Sequence, residues 1–333
     1  MTPPARPAPY LISIAGCLFA FWLGALAAPL AASAANLPAW AYPVNPPAGH
    51  PVADDGHAIH VPDSTVTFTR TQITNLTGPV PDWHPDEHPA MPEIVAKGRA
   101  PHVLACAYCH LPNGAGRPEN ASLAGLPAGY IRQELRAFQH GDRPGSEPRR
   151  LPQTLMITGA KALTEPEIEA AAAYFSSLKP ASFVRVIETA TVPQTRIAGW
   201  VLTPAPGAGT EAIRNRIIET PEDFERFEHR DSRTPYRVYV PRGSIQRGAA
   251  LVTQTRDGGT VPACITCHGP ELKGLGDVPR LAGRSPSFLM RQLTDLRSGV
   301  RQGASTDLMK PVVAHLTDAD LVSLVAYLAS LEP

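Results

Sequence analysis

Two stretches of the chain place apolar residues three and four positions apart, which puts them on one face of an α-helix. The first stretch opens with a capping-box pattern from Thr164 to Glu167 and has a proline in its first turn. Its apolar positions are Ile168, Ala171, Ala172, Phe175 and Leu178. The second stretch opens at Thr317. Its apolar positions are Leu321, Leu324, Val325, Leu328 and Leu331. The pattern predicts two amphipathic helices that bury equivalent faces.

Shorter patterns predict further helices in the same two regions. Segments 127–140 and 285–298 suit short helices, because each begins at or beside a proline and continues without another. We expect one more helix at the start of each region, at about 93–105 and 244–256. Neither region shows the sustained alternation that is typical of strands, so both are predicted to be all-α.

An internal duplication relates these regions. A shift of 158 residues aligns Leu123–Gly125 with Leu281–Gly283, and a later shift of 153 aligns Leu155-Met156 with Leu308-Met309. Repeats are the strongest sequence guide to architecture. We therefore predict two tandem modules related by duplication, one at 93–180 and the other at 243–333.

Two further segments lie outside the repeat. Residues 36–92 are rich in proline and predicted to be an irregular N-terminal extension that covers the first module. The inter-module segment 181–242 has short strand-like runs at Phe183–Ile187 and Tyr236–Val240 and is expected to wrap over the modules.

The first 35 residues have the layout of a secretory signal peptide. Leu11 to Ala35 carry no charge and end in small residues, which predicts cleavage near Ala35. Two alternatives are an uncleaved membrane anchor through residues 11–35 and lipidation at Cys17. All three predict an exported, periplasmic protein.

Charge and cysteine content limit the classes of function that the sequence allows. Thirty basic and thirty acidic residues leave no net charge, so we predict no nucleic-acid partner. Of five cysteines, one is Cys17. The other four form two C-x-x-C-H motifs, Cys106 to His110 and Cys264 to His268. Once a signal segment is removed, no cysteine is left for a disulfide or a catalytic thiol.

The C-x-x-C-H spacing is typical of covalent c-type haem attachment. The predicted thioether residues are Cys106, Cys109, Cys264 and Cys267. The adjacent His110 and His268 would each supply an axial nitrogen to a haem iron. A shared zinc site of four thiolates is the alternative, but it leaves the repeated histidine unexplained. We therefore predict two covalently attached haem c groups.

The duplication also indicates the sixth iron ligands. Met156 and Met309 are equivalent, and each is predicted to lie on a loop that crosses the porphyrin, whereas Met91 and Met290 have no methionine counterpart. Packing in the core is the alternative role for a methionine. His/Met ligation would raise the reduction potential and leave no open coordination position. That favours electron transfer over catalysis.

Other polar residues are weaker candidates. Arg143 and Arg301 are equivalent and could bond haem propionates, or simply be solvated. The segment 82–89 could bind a metal through two histidines and acids, although a rigid surface loop is favoured. His315 lacks a histidine counterpart and is expected to be structural.

The order of these motifs resembles the dihaem class I cytochromes c of the cytochrome c4 type. It is carried in the first module by Leu123–Gly125, Tyr130–Leu135, Gly141–Arg143 and Leu155-Met156, with counterparts in the second. The resemblance does not extend to 36–92 or 181–242. It implies an electron shuttle between redox proteins, such as respiratory or dehydrogenase components.

Three other functions stay open. A dihaem peroxidase would need one iron with a displaceable ligand. A thiosulfate dehydrogenase with a cysteine ligand would need a cysteine beyond the four in the motifs. A haem-bearing subunit of a larger dehydrogenase or oxidase would use 36–92 and 181–242 for docking. The sequence favours a carrier over an enzyme.

Overall fold

A computed structural model describes residues 1–2, 37–47, 52–303 and 305–333. The predicted signal or anchor segment, with Cys17, lies outside these residues apart from Met1 and Thr2. By backbone contacts the chain divides into a unit at Met1–Ser33 and a unit at Ala34–Pro333. The helices and strands of the described residues all lie in the second unit.

The first module is helical. The extension before it contains α1 (Arg70–Thr74). The module has helices α2 (Glu93–Ala96), α3 (Cys106–His110), α4 (Ala128–His140), α5 (Leu151–Ala162) and α6 (Glu165–Ser177). The apolar face predicted for α6 is buried, with Ile168 and Ala172 fully enclosed. The capping box between Thr164 and Glu167 is formed as expected.

One predicted helix of this module is much shorter than expected. Helix α2 covers four residues where the sequence predicted about 93–105. Gly98 stops it, because its φ of +70° is the left-handed conformation that glycine favours. The chain then pairs Arg99 with Val103 in a short bridge before the first cysteine.

The segment between the modules forms strands, so the all-α prediction holds for the modules and not for the chain. Its elements are β1 (Val184–Thr189), β2 (Thr191–Pro193), β3 (Thr195–Ala198), β4 (Val201–Pro204), β5 (Thr210–Ala212), β6 (Ile218–Pro221), α7 (Phe224–Glu228) and β7 (Tyr236–Pro241). Strand β7 pairs in parallel with β1 and antiparallel with β6. Strands β2 and β5, and β3 and β4, form antiparallel pairs. Alternating burial along β7 explains the sheet, since Val238 and Val240 are enclosed between it and the second module.

The second module repeats the helices of the first. Its helices are α8 (Ser244–Thr253), α9 (Cys264–His268), α10 (Pro286–Arg297), α11 (Thr306–Ala314) and α12 (Asp318–Ser330). Thr317 and Asp320 form the capping box of α12. Its face at Leu321 and Val325 is buried against the core that the sheet shares.

The N-terminal extension was expected to cover the first module, and its first part does not. Residues 37–47 pack mainly against the second module, with one contact to the first, where Arg150 donates to the Pro43 carbonyl at 2.6 Å. The Tyr42 hydroxyl donates to Asp295 at 2.9 Å, and Arg291 donates to the Ala41 carbonyl at 2.8 Å. Farther along the extension, Val80 packs in the core of the first module. Burial of the apolar Trp40 and Tyr42 explains why this part binds the second module.

No single helix among the described residues is long and apolar enough to cross a membrane. Helices α11 and α12 reach that length and hydropathy only when taken together, across a 120° bend.

The crossing of α8 and α12 depends on one glycine. A Cβ at position 248 would collide with the Ser323 carbonyl oxygen and with Tyr327 of α12. We expect Gly248→Ala to lower the free energy of unfolding by about 2 kcal/mol, because overpacking forces helices apart. Chemical denaturation of the holoprotein measures this. Gly209→Ala is the matched control, since open space surrounds it. Equal stability of the two variants would show that the crossing has room to adjust.

Candidate functional site

Each C-x-x-C-H motif forms a single helical turn that brings its two thiols to one side. In the first module this is α3, where Cys106 and Cys109 are three residues apart and line a common cavity. The turn ends at Leu111, whose φ is +64°. The four described cysteines are free of disulfides. Burial raises the pKa of Cys106 to about 12, which keeps this thiol protonated at neutral pH.

The histidine of each motif is held by the same backbone hydrogen bond. His110 Nδ1 lies 2.8 Å from the Ala121 carbonyl, and His268 Nδ1 lies 2.8 Å from the Pro279 carbonyl. A carbonyl oxygen only accepts, so Nδ1 donates and Nε2 keeps its lone pair. Burial lowers the pKa of both histidines, which favours this neutral form. Both rings are therefore prepared to ligate a metal through Nε2.

These carbonyl partners were not predicted from the sequence. Ala121 and Pro279 are related by the 158-residue shift, as their histidines are. Because the side chains differ, only the backbone is shared. The repeat alignment was therefore the one available signal.

The predicted methionines lie on helices, which corrects the loop assignment. Met156 is in α5 and Met309 is in α11. Pro152 does not interrupt α5, because it occupies the second position of the helix, where a missing N–H breaks no helical hydrogen bond. Met156 lines the same cavity as His110. Met309 and Cys264 pack against the same core of the second module.

Helix α10 of the second module, together with Arg284 just before it, completes the cavity of the first. Besides apolar side chains of α4, α5 and α6, the cavity is lined by residues from 284–292. They are Arg284, Phe288, Arg291 and Gln292. No such role for α10 was predicted from the sequence. A one-module pattern carries no signal for a wall that the other module supplies.

The predicted propionate arginines meet around one acid. Arg143 and Arg301 both contact the carboxylate of Glu134, Arg301 at 2.8 Å. They also share the side-chain oxygen of Gln292, at 2.6 and 3.2 Å. The structure thus brings the two together, at the junction of the modules. Of the two, Arg143 lines the cavity.

Arginines at the junction of the modules suit the carboxylates of a haem. Burial lowers the pKa of Arg143 to about 9, and the nearby Arg301 adds to the effect, so an anionic group bound here would stabilise both cations. Arg284 Nε and Arg301 Nε are buried and have no hydrogen-bond partner among the described residues. Together with two thiols, an apolar lining and a free His110 Nε2, the residues present fit a covalently bound haem with anionic propionates.

In the weaker metal candidate, both histidines pair with carboxylates of this chain. In segment 82–89, His84 pairs with Asp231 at 3.0 Å and His88 with Asp82 at 3.1 Å. No group of three metal-binding side chains occurs in the described part of the chain. His315 lies on the surface, 3.4 Å from Asp257.

Comparison with known proteins agrees with this geometry. The cytochrome c family model matches twice, at residues 95–179 and 245–332. The chain is 28% identical to the thiosulfate dehydrogenase electron acceptor of Thiomonas intermedia (strain K12), covering 69% of this chain and 80% of that protein. It is 24% identical to cytochrome c4 of Azotobacter vinelandii, covering 73% of this chain and 91% of that protein.

A solved structure is also similar. Thiosulfate dehydrogenase (TsdBA) from Marichromatium purpuratum shares 27% identity and a TM-score of 0.47, covering 72% of this chain and 39% of that chain. This chain therefore spans about two fifths of that protein.

Two modules with repeated attachment motifs define a dihaem c-type electron carrier. The chain belongs to the cytochrome c family, and within it is a cytochrome c4-like protein that carries two covalently bound haem c groups.

Proposed function

We propose that the protein is an exported carrier that passes single electrons through two haems with His/Met axial ligands. The ligand pairs are His110 with Met156 and His268 with Met309. The placement of His110 and Met156 on one cavity carries the proposal. The second pair follows from the duplication and from the matching hydrogen bond of His268.

The chain's own residues would orient the haems and tune their reduction potentials. Bound haem supplies an iron that alternates between ferric and ferrous states. The Ala121 and Pro279 carbonyls orient the histidine rings. A soft methionine sulfur favours the ferrous state and raises the potential. If His110, Met156, His268 and Met309 held the irons as proposed, no coordination position would be left for a substrate. Cys106, Cys109, Cys264 and Cys267 would hold the two groups, and Arg143 and Arg301 would neutralise propionates.

Export belongs to the same proposal. The signal layout of residues 1–35 supports secretion to the periplasm, by cleavage or with residues 11–35 retained as an anchor. Covalent haem attachment fits that compartment.

The names of the relatives support a proposal for the redox partners. One similar protein is named a thiosulfate dehydrogenase electron acceptor. We therefore assign to this chain the role of accepting electrons from a periplasmic dehydrogenase of that kind and passing them to a respiratory component.

A dihaem peroxidase is the rival, and absorption spectroscopy with a peroxide assay separates the two. We expect the oxidised holoprotein to show the long-wavelength Met–Fe(III) band at an intensity corresponding to two haems, and the reduced protein to turn over hydrogen peroxide negligibly. The band reports thioether ligation directly, and the free haem c peptide serves as the five-coordinate control. Half the band intensity with rapid peroxide turnover would establish the peroxidase instead.

A further inference from the structure

The two attachment motifs differ in how much protein covers them. We define the first attachment face as residues 106–119 and the second as residues 264–277, which the 158-residue shift superimposes. Tyr108 and Arg117 of the first face are 6% and 5% exposed. Their equivalents on the second face are Thr266, which is exposed, and Leu275, which is 62% exposed.

The same asymmetry holds along most of the two faces. The exposed members of the second face are Thr266, Cys267, Pro270, Glu271, Lys273, Leu275, Gly276 and Asp277. The equivalent positions of the first face are buried or half-buried throughout. The second attachment face is therefore open to solvent where the first is covered.

The cover over the first face comes from the inter-module segment. Arg230 stacks on the Tyr108 ring, with its guanidinium carbon 3.4 Å from the ring centroid, and donates to the Tyr108 carbonyl at 2.7 Å. Phe227 packs beneath Arg117, whose guanidinium carbon lies 3.8 Å from that ring's centroid. Residues 227–232 thus close the face that carries Cys106 and Cys109.

The second face has the chemistry of a small docking surface. The second face includes Cys267, the predicted thioether residue, so a partner bound there would lie beside the point of haem attachment. Leu275 is the large apolar side chain exposed on this face, and it offers a partner an apolar contact. The charged residues nearly balance: Lys273 lies 3.6 Å from Glu271, and Asp277 adds one acid. Apolar contact, rather than long-range charge, would dominate binding here.

From this asymmetry we infer that the partner docks on the second attachment face, and that electrons enter and leave the protein there. The partner is a one-electron redox protein that presents a small, nearly neutral apolar patch at its own cofactor edge. The exchange moves one electron and makes or breaks no bond. The first module is reached internally, because its cavity is walled by Arg284 and Phe288 of the second module. The inference rests on the proposed carrier function.

Hydrogen–deuterium exchange and stopped-flow kinetics test it with an oxidised blue-copper protein, whose copper edge is a nearly neutral apolar patch, as the probe. In the mixture with reduced holoprotein, we expect protection over 264–277 and none over 106–119. Leu275→Gln should slow the second-order electron-transfer rate roughly tenfold, the effect of losing one well-buried contact at an interface. The rate should depend weakly on salt.

Leu76→Gln is the matched control, because Leu76 is an exposed leucine of the N-terminal extension. Its rate should equal that of the unaltered protein, and both potentials should be unchanged in both variants. Protection over 106–119, or an unchanged rate for Leu275→Gln, would overturn the inference while leaving the carrier function intact. Loss of the Met–Fe(III) band in the unaltered protein would instead refute the proposed ligation.

Discussion

Met156→Leu and Met309→Leu are each expected to lower the midpoint potential of one haem while leaving the other nearly unchanged. Leucine keeps the volume of methionine, so packing is preserved and only the sulfur is lost. Axial ligands set haem potentials over about 0.8 V, and thioether ligation lies at the high end. We therefore expect a fall on the order of 0.1 V for the affected haem. Potentiometric titration of the purified holoprotein, followed in the visible spectrum, measures it.

Met91→Leu is the matched control. Met91 packs at the edge of the core of the first module, as Met156 does, but has no methionine counterpart in the second. Its potentials should stay as they are. If the Met156 and Met309 variants also leave both potentials in place, the methionines serve packing alone and the ligand assignment is wrong. Met156→Leu and Met309→Leu should each also lose half of the long-wavelength Met–Fe(III) band, whereas Met91→Leu should keep it.

Local sequence patterns explain why so much of the helical structure was predictable. The stripe from Ile168 to Phe175 and the capping boxes at Thr164 and Thr317 are local features, set by residues three and four positions apart. The placement of Met156 on a helix was missed because the repeat shows which methionines are equivalent and carries no information on whether they lie in a helix.

Contacts between distant segments were beyond prediction for another reason. Tyr42 reaches Asp295 across 253 residues, and Arg230 reaches Tyr108 across 122. No periodicity encodes such pairs, since they depend on how the modules and the intervening sheet pack. The wall that Arg284 contributes to the first cavity belongs to the same class. These contacts are what distinguish the two modules, which the repeat by itself presents as equivalent.

The cover over the first attachment face depends on one buried acid. Asp231 has a fully buried side chain and binds three partners. Arg226 donates to it at 2.6 and 2.7 Å, His84 pairs with it at 3.0 Å, and the Arg233 amide donates at 2.9 Å. It therefore ties the N-terminal extension to the loop that places Arg230 on Tyr108.

Asp231→Ala is expected to reduce the free energy of unfolding by about 3 kcal/mol, because removing one member of a buried pair leaves the other without a partner. Guanidinium denaturation followed by tryptophan fluorescence measures it, since Trp83 donates to the His229 carbonyl at 2.8 Å beside this site. Asp231→Asn should lose less, because its side-chain oxygen still accepts from the Arg233 amide. Asp307→Ala is the control. Its pair with Lys310 is exposed and should contribute at most about 0.5 kcal/mol.

Asp231→Ala also tests whether the loop at 226–233 keeps partners away from the first attachment face. With Asp231 removed, residues 226–233 lose their anchor, so limited proteolysis should cut there first and hydrogen exchange should rise over 106–119. Both changes would expose the first attachment face, and the blue-copper probe should then protect residues 106–119 as well as 264–277. A destabilised variant that still shows protection only over 264–277 would mean that the first face is closed by more than this loop. The Arg291 contact with the Pro118 carbonyl at 2.6 Å is the contact that would keep it closed.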